Sequence, residues 1–347
     1  MKKSNSIYFW KIIFTYIIVI FHFDNAYHIA TRFGVEQFNN AFTGVDFFFI
    51  VSGFLLYKKA LSPSAPKNAI AYTADRYKGL YVKYILSFTA VFVVICLEGK
   101  TALTPVELLW DSKWEILMVQ SLALGRGWNL INPTAWYLSV MMVCGTLIYF
   151  LLDRYGKTFA KVIAPVAAVL LLGVIFVRMP NLDVAVNEPG NYLYYPLFRG
   201  FAEMSMGVWG AALQPTVVKR IPEVAASLAG NLVLLAACVV SWRFGHSHVD
   251  YLISALLLVG VTLAFTDTPE NILTGPLVRR ISGMTISVYL MHELFRSHVI
   301  PYVIPPESHY RDRFLALGIY LLMATAAAIL LEILARPIEK TVFHKGK

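Results

Sequence analysis

The stretch YFWKIIFTYIIVIFHFDNAYH, Tyr8 to His28, sets Lys11 and His22 in apolar sequence. An ionisable group near a bilayer centre costs about 2.5–3.5 kcal/mol there, so its presence calls for a task or a partner. On a helix these two positions differ by about 20° after three full circles, so they share a face, about 16.5 Å apart along the axis. A lysine so placed holds an anion or reaches to headgroups; a histidine, neutral near pH 7, is suited to take up a proton. Further along, FTGVDFFFIVSGFLLY carries Asp46 early in an apolar run, with His22 or Arg199 as its expected partner. In YYPLFRGFAEMSMGVWG, Arg199 and Glu203 stand at i,i+4; they either satisfy each other or leave Arg199 to contact an anionic or carbonyl group. ISGMTISVYLMHELF holds His292, while Glu293 next to it points to a different face.

The elements that must position these groups are membrane helices. Of 347 residues, 58% are hydrophobic and only 15% charged, against about 25% charged in soluble domains. Stretches of spanning length lie near residues 7–23, 42–60, 79–97, 134–152, 160–178, 194–213, 225–242, 251–267, 281–300 and 314–335. The expected fold is therefore all-α, a polytopic membrane helix bundle with about ten transmembrane helices, in one domain over 1–347 and no separate soluble domain. The 30 Lys and Arg fall roughly two to one on the side that carries the N-terminus, which places both termini in the cytoplasm. The net charge of +9 is thus topological, and no nucleic-acid partner is expected. The apolar run after Lys2 and Lys3 reads as a retained first helix, because no small-residue cleavage site follows it.

With that topology His22, Asp46, Arg199, Glu203 and His292 all fall in the outer half of the membrane, which predicts a polar cavity there. Lys11, Arg76 and Lys78, and with less reason Lys83, Arg279 and Arg280, face the inner side, where they suit a phosphorylated ligand or ordinary positive-inside charge. The outer segment TPVELLWDSKWEILMVQSLAL repeats apolar residues at helical spacing, as an interfacial or capping element does. Ser52 and Gly53 read as small residues for close helix packing. Cys96, Cys144 and Cys238 form no metal or redox spacing. HSHVD, with His246, His248 and Asp250, offers donor atoms in a short loop, and no metal site is expected.

These motifs resemble the acyltransferase-3 family, integral membrane enzymes that transfer acyl groups to hydroxyls of cell-surface glycans and related acceptors. The resemblance covers essentially the whole chain. It rests on Lys11 and His22, on GVDFFFIVSGFLL from Gly44 to Leu56, on WYLSV from Trp136 to Val140, on RGFAEMSMG from Arg199, on TISVYLMH ending at His292 and, more loosely, on ARPIEK. The sequence departs from the family pattern where Lys11 replaces the usual Arg, where Met141 replaces an acidic residue, and in a thinned Arg- and Pro-poor entry to the third helix. The resemblance implies an O-acyltransferase using acyl-CoA, acetyl first, as co-substrate with no tightly bound cofactor. Lys11, Arg76 and Lys78 would take the donor phosphates, and His22 would act as general base. Asp46 or Glu203 would orient the imidazole, and Arg199 or His292 would meet the oxyanion; a covalent acyl-histidine is the other route. The acceptor would be a cell-surface or exopolysaccharide sugar, free or lipid-linked. Rival readings of the same buried charges are a transporter or flippase and a non-catalytic sensor.

Overall fold

The computed structural model describes residues 3–35, 42–122, 131–184, 195–244 and 247–343. They are almost wholly helical: α1 (Ile7–Tyr27), α2 (Thr43–Ala60), α3 (Ala69–Glu98), the short α4 (Pro105–Asp111) and α5 (Lys113–Ile116), α6 (Trp136–Thr158), α7 (Ala164–Arg178), α8 (Tyr195–Val218), α9 (Glu223–Arg243), α10 (Val249–Ala264), α11 (Pro276–Ser282), α12 (Thr285–His298), α13 (Ile300–Val303) and α14 (Tyr310–Phe343). The one sheet among them pairs Lys3–Ser4 antiparallel with Thr268–Pro269.

Each of the ten apolar stretches carries a helix. Five helical runs are long and apolar enough to cross a bilayer, Ile7–Tyr27, Ala69–Glu98, Pro133–Arg178, Glu223–Arg243 and Tyr310–Phe343. α10 is apolar but has only 16 residues, and α12 has 14. α2 and α8 are diluted by the groups of interest, Asp46 with Lys58 and Lys59 in one and Arg199 with Glu203 in the other. The Pro133–Arg178 run is not one straight rod. Gly156 breaks it at φ 50° and ψ −122°, a conformation open to glycine at little cost, and a π-turn follows at Phe159–Ile163. The basic residues Arg154, Lys157 and Lys161 therefore lie on helix on either side of a glycine hinge.

The chain divides into two compact units. The first comprises Met1–Ile18, Phe38–Thr73 and Val143–Gly283. Its helices pack through glycines. A Cβ on Gly53 would lie 1.8 Å from the Met204 carbonyl oxygen, and one on Gly207 would lie 1.9 Å from that of Ile50, so the α2 and α8 backbones touch where side chains would otherwise hold them apart. Asp46 meets Arg199 and Phe54 meets Gly207 at one constant offset, so α2 and α8 run parallel. Gly230 abuts Ala264 while Gly260 abuts Leu234, an antiparallel pairing of α9 with α10. The N-terminal half of α1 joins this unit through Phe14 stacked on Phe47 at 4.1 Å and through the indole N–H of Trp10, which donates to Asn231 at 2.6 Å.

The second unit comprises Val19–Gln37, Ala74–Met142 and Met284–Lys347. Here polar side chains tie helices together. Lys83 pairs with Glu332 at 2.7 Å, and the Ser287 hydroxyl donates to the same carboxylate at 2.6 Å, which joins α3, α12 and α14. Tyr320 donates to the Val19 carbonyl, and Tyr27 to that of Ile304 at 2.6 Å, fixing the C-terminal half of α1. The outer amphipathic segment is split. Thr104 and Glu107 cap α4 reciprocally, and Met118, at φ 55°, stops the helix after α5. Val106, Leu109, Trp110 and Leu117 stay exposed while Leu108 and Met118 are buried, the two-faced pattern of an interfacial element.

Candidate functional site

The sequence-derived residues fall into two clusters, one in each unit. In the first, the close seam between α2 and α8 lets Asp46 meet Arg199 and Glu203. The Arg199 guanidinium donates from Nε to Asp46 Oδ1 at 2.9 Å and to Glu203 Oε1 at 3.4 Å. Its Nη2 also bonds Asp46, and it reaches the Phe42 carbonyl at 3.5 Å. None of the three residues is more than 1% exposed. Of the two partners expected for Asp46, Arg199 is the one that bonds it, and its bond is shorter than the i,i+4 bond to Glu203. Two carboxylates thus share one guanidinium, and Asp46 Oδ2 and Glu203 Oε2 are buried with no hydrogen-bond partner among the described residues. Such a group is costly to disturb: removing one side of a buried pair strands the other charge.

The same unit contains a cavity of about 190 Å³ whose lining includes Asn5, Tyr8, Lys11, Phe54, Lys58 and Phe265. Two ammonium groups and three aromatic rings around one space suit a phosphate-bearing, partly planar ligand. The Lys58 ammonium lies 5.0 Å from the Phe54 ring centre, a cation–π contact that keeps it beside the cavity. Lys58 was absent from the candidates, although its position two residues past the GVDFFFIVSGFLL run, one turn on from Phe54 and on the same face, was a usable signal.

In the second unit His22 and His292 come together, their ring centres 5.2 Å apart with planes 32° from parallel. α12 is held where it carries His292. The Leu290 carbonyl accepts from Ser87 at 2.8 Å and from Asn132 Nδ2 at 3.1 Å, and the Tyr289 hydroxyl donates to the Thr134 carbonyl. Asn132 is itself seated by Glu115, a buried acid that accepts the Ile131 and Asn132 N–H groups at 3.1 and 2.7 Å. The NPTAWYLSV segment therefore contributes to the site through Asn132 and Thr134, as a support for α12. His292 is fully buried, with Nδ1 2.6 Å from the Tyr289 carbonyl oxygen. His22 is half-buried, the more exposed residue of the two. Glu293 does turn to another face, where it binds Arg296 at 2.9 and 2.5 Å and Ser297 at 2.6 Å.

Among the inner basic residues, Lys83 is taken by Glu332, and Arg279 by Glu270 at 2.6 Å and the Thr274 carbonyl at 3.0 Å. Both are structural ties, which corrects the wider basic set. Arg76 is half-buried and Lys78 exposed, both in the first turns of α3. In the HSHVD loop His246 lies outside the described residues; His248 packs on Phe176 at 4.4 Å, and Asp250 accepts the Leu182 N–H at 3.0 Å. The described residues contain no group of three or more potential metal ligands.

No curated protein and no solved structure matches this chain. A family model described as an acyltransferase domain matches residues 5–333, nearly the whole sequence and both clusters. The chain belongs to this acyltransferase family and is a membrane acyltransferase.

Proposed function

We propose that this enzyme moves an acyl group, acetyl first, from cytoplasmic acyl-CoA to a hydroxyl of a cell-surface or exopolysaccharide sugar, with His22 as general base. The observation that carries this reading is the half-buried imidazole of His22 beside the sealed one of His292, a base accessible from one side and backed from the other. In this reading the donor phosphates meet Lys11 and Lys58 at the aromatic cavity, with Arg76 and Lys78 as further cations. The acceptor oxygen attacks the thioester carbonyl, His22 takes the hydroxyl proton, and CoA leaves through its sulfur. Asp46, Arg199 and Glu203 act one step removed, as the charged lock that holds α2 on α8. The chain works as a single domain with ten membrane passes in the plasma membrane, both termini cytoplasmic.

The test uses purified protein in liposomes with labelled acetyl-CoA, following free CoA release with and without a cell-envelope glycan extract. Acceptor-dependent release is expected, and His22→Ala should lower it by about 10²–10⁴-fold, the usual worth of a positioned base. A well-folded wild type that releases no CoA with any extract or acyl-CoA would overturn the reading, and movement of a substrate chemically unchanged would replace it with transport.

A further inference from the structure

The two nitrogens of His292 are in different situations. Nδ1 lies 2.6 Å from the Tyr289 carbonyl oxygen, which offers only lone pairs, so the hydrogen of that bond must sit on Nδ1. In the neutral ring Nε2 is then a bare acceptor. It is buried and has no partner among the described residues, an arrangement proteins rarely leave without a reason. Its surroundings do not supply one. Glu293 and Arg296 are bonded to each other, with Ser297 on the same carboxylate, and the Tyr289 hydroxyl is committed to Thr134. The group across from the ring is His22, at a centre-to-centre separation of 5.2 Å. Facing ring nitrogens at that separation come within ordinary N–H···N reach once the His22 ring turns in place.

Resting on the proposed acyl transfer, we infer that His292 is a positioning residue for His22: its Nε2 lone pair accepts the N–H of His22, leaving the other nitrogen of His22, with its lone pair, for the acceptor hydroxyl. The Tyr289 carbonyl sets the tautomer of His292, and His292 sets that of His22. During transfer the hydroxyl oxygen bonds to the thioester carbon as the C–S bond breaks. The hydroxyl proton passes to His22 and then to the CoA sulfur, which departs as the thiol; His292 keeps its own proton throughout. A nitrogen that only accepts cannot donate to an oxyanion, so the oxyanion role raised for His292 passes to another group. The relay from backbone carbonyl to sealed imidazole to working imidazole lets an apolar site orient a base without burying a further charge.

Nitrogen-15 NMR of histidine-labelled protein in nanodiscs tests the assignment without any activity. The expected result is a His292 ring protonated at Nδ1 and bare at Nε2, whose Nε2 resonance shifts in His22→Ala. Protonation at Nε2, or an Nε2 resonance indifferent to His22→Ala, would overturn the inference. In turnover, His292→Asn keeps an amide donor for the Tyr289 carbonyl but has nothing at the Nε2 place. It should lower kcat by roughly 10²-fold, the scale of a displaced catalytic group, with donor KM unchanged, and His292→Gln, whose amide extends toward the Nε2 place, should recover part of the loss. An unchanged kcat in a folded His292→Asn would also overturn it. A wild type without thioester consumption would instead remove the acyl-transfer reading, while the resonances still decide the tautomer and the contact.

Discussion

In the first unit Arg199 is enclosed by Asp46 and Glu203 at no more than 1% exposure, whereas in the second His22 is half-buried and one ring nitrogen of His292 has no partner among the described residues. Both clusters place ionisable groups in apolar helices. The first answers the desolvation cost by neutralising charge within the protein, and the second by using side chains that carry no charge near neutral pH. The lesson is that buried charge alone does not identify a reacting group. In the first cluster the guanidinium is engaged by two carboxylates, while in the second two imidazoles face each other.

This contrast can be broken by substitution. The largest effect on the fold is expected at Arg199: Arg199→Ala strands Asp46 and Glu203 and should destabilise the protein by about 3–5 kcal/mol, read as thermal unfolding in nanodiscs, whereas His22→Ala should leave that transition in place. Equal losses from both would erase the distinction. Next comes the seam that aligns the lock. Gly207→Ala puts a methyl group against the Ile50 carbonyl and should cost about 1–3 kcal/mol; an unperturbed transition would show that α2 and α8 can part without consequence. The smallest effect is expected at the cavity. Lys58→Gln removes one ammonium and should raise the acetyl-CoA KM about tenfold, equivalent to ~1.4 kcal/mol of charge-assisted bonding. Turnover of a thioester lacking the nucleotide, such as acetyl-pantetheine, should not change, and a parallel rise with that donor would remove the phosphate assignment.

Much of this organisation was legible beforehand. All ten apolar stretches became helices because twenty or so consecutive apolar residues have few other ways to satisfy their backbone in a membrane. The Asp46–Arg199 contact was one of two options raised for Asp46, and Gly53 was marked for packing. Legibility failed where contacts are non-local. Lys83 and Arg279 stood as weaker members of the inner basic set, and their ion pairs with Glu332 and Glu270 came to light only in the tertiary structure. The hinge at Gly156 was hidden because a single glycine between two apolar stretches does not announce a positive φ. That Glu115 and Asn132 seat α12 stayed hidden, because nothing in a linear reading links them to it.

The sequence by itself determined the helical class, the membrane setting, the family and the short list of groups able to do chemistry, since hydropathy, charge bias and motif spacing are properties of consecutive residues. The tertiary structure decided which of those groups are engaged and which are open. Whether Arg199 faces a carboxylate or a substrate, and which nitrogen of His292 carries the proton, depends on atoms brought within 3 Å or so from distant parts of the chain, and hydrogen-bond energies fall away over less than the width of one side chain.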